Sequence, residues 1–271
     1  MVVLKNNHPC IMATLFDALP TIGLSFTFFT LFLPLSSLLS PYFSPSLYGP
    51  LSPQKKIDWH GRASAILMAI VAVSMALPEY LNPAPELAAD PIYGQSNRAR
   101  TCAAFVIGYF FWDVLYCLWG NQGATYTAHA LLCLGVYTLC LLPFLQHIGM
   151  FFLCFELSTP LLHIRTQLIA CKRTDSAFFS VFQILFCLTF LIVRIGVGLP
   201  VSAMWWLDMV RLVQDGRAPS LFIVGYFMIA NIGLCGLNCL WGFKIIQGLI
   251  KNFRGEYKPK VSEHHVEEKI N

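Results

Sequence analysis

The chain has 271 residues, of which 56% are hydrophobic and only 12% charged, with a mean hydropathy of +0.63. A water-soluble globular domain carries about 25% charged residues, so this composition excludes one and leaves no room for a soluble catalytic domain. The net charge of +4 comes from dispersed Lys and Arg with no aromatic-interleaved basic stripe, which excludes nucleic acid as a partner.

The segment Met1–Phe16 lacks a short apolar run followed by an Ala-x-Ala-type site, so a cleaved secretory signal is not expected. Apolar runs long enough to cross a bilayer then follow at 14–39, 62–81, 101–120, 125–145, 148–170, 177–204 and 220–250. The fold class is therefore all-α, a polytopic membrane protein with about seven transmembrane helices. Pro20 and Pro34 interrupt the first run, and a Ser/Pro-rich linker separates it from the second. GNQGAT joins the third and fourth as an antiparallel hairpin. Gly196, Gly198 and Pro200 predict a break that ends or reorients the sixth. The organisation reads as an N-terminal segment over 1–58, a membrane domain over 59–250 and a disordered tail over 251–271.

Orientation follows from the basic residues. With the N-terminus on the lumenal side, ten Lys and Arg face the cytosol, from Lys55 through Lys269, and five face the lumen: Lys5, Arg98, Arg100, Arg211 and Arg217. The expected tail is cytosolic. Ten cysteines lie mostly in apolar runs, without a CxxC pair or zinc spacing, and read as packing residues; neither a metal site nor a cofactor is expected. The six tryptophans read mostly as interfacial anchors.

An ionisable side chain at bilayer depth costs several kcal/mol unless it faces a partner or a cavity. Asp113 in GYFFWDVLYCLWG, His129 in TYTAHALLC, Glu156 and His163 in FELSTPLLHIR, and Arg194 in FLIVRIGVGLP are such groups. Glu156, Pro160 and His163 follow an i, i+4, i+7 spacing that places them along one helical face, and Pro160 removes a backbone hydrogen bond beside the acid. Each charge alone is compatible with a helix-locking pair. Charges on four consecutive helices can instead converge on one site. Asn238, in GLCGLNCLWG, is one of few amides in a span and is expected to bond across a close helix contact.

The same residues carry a resemblance. WHGR, GYFFWD, the Tyr126–His129 segment, FELSTPLLHIR, VRIGVGLP and LNCLWGFKII, in this order over about Trp59–Ile250, resemble TLC-domain proteins, the group that includes ceramide synthases and TRAM proteins. The resemblance is nearest to the small TLC domain-containing branch. It implies an endomembrane protein, of the endoplasmic reticulum or a related membrane, in which six helices surround a lipid-accessible cavity and the first packs outside. It also implies lipid as partner, with Asp113, Tyr126, His129, Glu156, His163 and Arg194 as lipid-binding residues and a role in lipid homeostasis. In ceramide synthases, adjacent histidines serve acyl-CoA-dependent N-acylation of a sphingoid base; here Ala128 and Ala130 flank a single His129. Three readings result: a lipid-binding protein without enzymatic activity; an acyltransferase using acyl-CoA, with His129 as base oriented by Asp113; and a cargo or chaperone-like factor whose tail binds partners.

Overall fold

A computed structural model describes residues 11–254, and every regular element among them is helical. The expected tail falls almost wholly beyond these residues. Helix α1 (Ile11–Phe43) runs unbroken through Pro20, Pro34 and Pro41, against the expected interruption. In a lipid environment backbone groups have no water to bond, so a helix tolerates proline where a soluble chain would turn. The short α2 (Pro45–Tyr48) lies in the linker, and α3 (Pro53–Leu81) begins nine residues before the predicted span at 62. Pro residues at the starts of both helices supply the fixed φ that suits a first turn.

Helix α4 (Pro85–Ala89) sits in the second loop, followed by α5 (Asn97–Trp119), which Ser96 caps by accepting from the backbone N–H groups of Arg98 and Ala99. Helix α6 (Ala124–Leu139) forms the expected hairpin with α5; Asn121 and Gly123 adopt the left-handed φ values of 47° and 98° that close the turn. The predicted fourth span, 125–145, therefore stops being helical at Leu139. Its last residues form a turn stapled by the fully buried Gln146, whose amide donates to Cys140 O (3.1 Å) and Leu142 O (3.0 Å) and accepts from Ser96 N. The 16-residue helix spans about 24 Å, shorter than its neighbours.

Helix α7 (Gln146–Leu153) passes through a 3₁₀ segment, Cys154–Ser158, into α8 (Thr159–Ala170). The tightening falls just before Pro160, which cannot supply the N–H of a continuous α-ladder. Helix α9 (Ala177–Phe190) leads through a π-helical segment, Leu191–Val197, into α10 (Gly198–Gln214). The predicted break at Gly196–Pro200 is not one: the chain stays helical and absorbs the irregularity as π-turns. Helix α11 (Leu221–Phe253) closes the bundle. Six stretches are long and apolar enough to cross a membrane, the α7–α8 and α9–α10 composites among them; α6 falls short by length.

The core forms where small residues admit close approach. Ala65, Ala69, Ala72 and Ala76 line one face of α3, all buried. Gly108 lets α1 lie against α5: a Cβ there would sit 2.4 Å from Ile22 O, and Ser25 Oγ donates to Phe105 O at 2.7 Å alongside. Phe29 fills the same seam against Tyr109, with ring centroids 4.9 Å apart. The opposite side of α1 stays exposed at Leu24, Leu31 and Leu38, as befits a helix on the outside of a bundle facing lipid. The linker is pinned near one end of the bundle. His60 there contacts Ser36 Oγ (2.8 Å) and Tyr48 Oη (3.1 Å), and Trp59 donates to Ser40 Oγ. Cys171, after α8, donates its thiol to Leu47 O, and burial pushes that thiol above its usual titration range.

Candidate functional site

The helices enclose a chamber of about 450 Å³, within the range of ligand pockets. Asp113, Tyr126, His129, Glu156, His163 and Arg194 all line it. The chamber runs from Arg194 to the end of the bundle marked by Asp58, Gln122, Arg165 and Lys244. This is the end that carries Lys55, Lys56, Lys172, Arg173, Lys251 and Arg254.

Arg194 forms the floor. Nε donates to Phe155 O and Ser158 Oγ, both at 3.1 Å; Nη1 donates to Asn238 Oδ1 at 3.2 Å; Nη2 donates to Thr159 Oγ1 at 3.4 Å and lies 3.6 Å from Glu156 Oε1. Thr159 Oγ1 in turn donates to Glu156 Oε2 at 2.6 Å. The rings of Phe155 and Phe190 flank the guanidinium at 5.9 and 5.4 Å, and Arg194 is 6% exposed. The local backbone explains this convergence. The 3₁₀ segment carries Phe155 O and Ser158 Oγ, the π-turns carry Arg194, and the two irregular segments meet at these bonds. Asn238 makes the cross-helix bond predicted for it, with α9–α10 as its partner.

All three nitrogens of Arg194 are thus engaged within the protein, which makes the floor a neutral, hydrogen-bonded plate. Above it, His129 faces Cys133 Sγ (3.7 Å) and packs between the rings of Phe110 (6.1 Å) and Trp241 (5.9 Å). Tyr126 stacks on Trp241 at 6.1 Å. Asp113 meets only a long contact from the Cys117 thiol, 3.9 Å, and has no ion pair among the described residues. His163 makes no hydrogen bond to a described residue, although it shares the chamber wall with Glu156. The orientation of His129 by Asp113, expected under the acyltransferase reading, is not formed: among the described residues no hydrogen bond joins the two.

Beyond the floor lies a second, smaller cavity of about 80 Å³, lined by apolar side chains including Val136, Leu145, Phe152 and Phe227. Phe110, His129, Glu156 and Arg194 border both spaces. Sequence reasoning missed Trp241, which it counted among interfacial anchors, and the rim pair Arg62 and Asp58, 3.9 Å apart. Trp112 and Trp205 are likewise buried instead of interfacial. Nothing in the spacing of these tryptophans distinguishes a ring facing a cavity from one facing headgroups. Among the described residues, no group of three or more His, Cys, Asp or Glu side chains is placed to hold a metal ion.

Residues 58–247 match the TLC domain family model, and the match takes in every helix that lines the chamber. The chain belongs to the TLC-domain family. An uncharacterised TLC domain-containing protein of Schizosaccharomyces pombe is 29% identical over 84% of this chain and 79% of its own length. The TLC domain-containing protein 4-B of Danio rerio is 29% identical over 88% of this chain and 91% of its own. A Saccharomyces cerevisiae relative, named Topoisomerase I damage affected protein 4, is 30% identical over 72% of this chain and 70% of its own.

Proposed function

We propose that this TLC-domain protein holds a membrane lipid in its chamber and thereby influences the lipid composition of the endoplasmic reticulum or a related endomembrane, with its C-terminal tail in the cytosol. One observation carries the reading: polar side chains costly at bilayer depth, drawn from several helices, line a single ligand-sized chamber. The acyltransferase alternative finds less support, since His129 contacts a thiol and has no hydrogen-bonded carboxylate. A partner-binding role for the tail concerns residues outside those described.

The test is the lipid that accompanies the purified full chain, measured by mass spectrometry against His129→Ala and Leu162→Trp. Leu162 lines the chamber, so an indole there fills it while leaving the floor untouched. Severalfold loss of co-purifying lipid in both variants is expected. Retention at the native level in both, with normal folding, would overturn the reading.

A further inference from the structure

The charges lining the chamber do not balance within it. Asp58 has Arg62, and Glu156 has Arg194. Asp113 alone among the lining acids has no cation within ion-pair distance among the described residues, and it lies half-buried on the chamber wall. An acid at membrane depth requires a partner, and a thiol 3.9 Å away is a poor one. The walls around it are aromatic. Tyr109, Phe110 and Tyr116, each about one helical turn from Asp113 on α5, line the same space.

The rim has the opposite sign. Arg62 and Lys244 both line the chamber at this end, and Lys244 is exposed there with no acidic partner among the described residues. Tyr116 stands three residues beyond Asp113, and its hydroxyl donates to Ile57 O while its ring lies against Gly61, next to Arg62, so that turn of α3 lies about 4.5 Å outward along α5. That spacing suits the two-carbon link between the phosphate and the nitrogen of a phospholipid headgroup.

Resting on the lipid-site reading, we propose that the chamber selects a zwitterionic aminophospholipid, its ammonium paired with Asp113 and its phosphate held outward by Arg62 and Lys244. An acyl-CoA or a fatty acid brings only negative charge toward Asp113. A long-chain amine satisfies Asp113 but leaves Lys244 without a counter-ion.

The experiment uses the full chain in nonionic detergent micelles doped with equimolar dioleoyl phosphatidylethanolamine and dioleoyl phosphatidylglycerol, and reads bound lipid by native mass spectrometry. The wild type is expected to retain the ethanolamine lipid over the glycerol lipid by about tenfold, the worth of one charge-assisted hydrogen bond. Asp113→Asn, which keeps the shape and removes the charge, reduces the ratio to about one, and Asp113→Glu retains a preference. Equal retention by the wild type, or an undiminished ratio in folded Asp113→Asn, overturns the proposal while leaving the lipid site standing. Displacement of the phospholipid by equimolar sphingosine also overturns it, because the phosphate would then contribute nothing. Absence of any bound lipid overturns the lipid-site reading itself. Lys244→Glu, at an exposed position that does not threaten folding, weakens retention of the ethanolamine lipid severalfold; unchanged retention counts against the phosphate contact.

Discussion

Arg194 shows what a single buried charge demands of its surroundings. Its guanidinium is bound by two carbonyl-type oxygens, two hydroxyls and a carboxylate drawn from two stretches of chain. Removing one member of such a pair leaves the other uncompensated, so Arg194→Met is expected to lower stability by about 3–5 kcal/mol. The double change Arg194→Met with Glu156→Leu should recover much of that loss, since no orphan charge remains. Thermal unfolding of the four proteins in detergent checks the cycle; a double variant no more stable than Arg194→Met alone would contradict it. At this scale the sequence was informative because apolar surroundings make an ionisable residue conspicuous: Asp113, His129, Glu156, His163 and Arg194 could be picked out by type and position. The pairing among them was not legible. An Arg with Glu, Asn, Ser and Thr as candidates can be satisfied in several ways, and only the backbone irregularities decide which.

Those irregularities belong to the helices. The 3₁₀ turn at Cys154–Ser158 and the π-turns at Leu191–Val197 lie against one another, and Gly198 is where they touch. A Cβ on Gly198 would come 2.5 Å from Phe155 Cζ, and Phe155 O is an acceptor for Arg194. Gly198→Val is therefore expected to cost about 1–3 kcal/mol by overpacking, seen as a lowered unfolding midpoint; a midpoint equal to the wild type would show that Phe155 yields freely. Apolar run length located most helices, yet Gly196, Gly198 and Pro200 read as a break that ends or reorients the sixth helix, and Pro20 and Pro34 as interruptions. Rules learned from chains in water treat proline and glycine as breakers, whereas a lipid-embedded backbone keeps its hydrogen bonds internal and converts the same signals into π-turns or tolerated kinks. The shortened α6 escaped notice for a different reason. Leu141, Leu142 and Phe144 are as apolar as any helix, and the turn they form depends on Gln146, a polar residue outside the run.

For the molecule as a whole, helix length sets how many times the chain can cross the bilayer. Six stretches meet the length requirement, and α6 at about 24 Å makes a seventh crossing only where the bilayer or the neighbouring turn accommodates it. The basic residues at the chamber end, against fewer at the other, favour an odd number. Epitope tags at the two termini should therefore report on opposite faces after selective permeabilisation, with the C-terminal tag cytosolic; both tags on one face would remove α6 from the crossings. The floor of the chamber bears on how such a chain is made. Residues emerge from the ribosome in order, so Glu156 precedes Arg194, and Asn238 follows by 44 positions. A nascent helix that carries Arg194 alone is a poor candidate for release into lipid, but one that leaves the translocon beside the preceding hairpin enters as a neutral couple. The last helix then completes the arginine's coordination, so the half-made protein is expected to stay at the insertion machinery until its final span is synthesised.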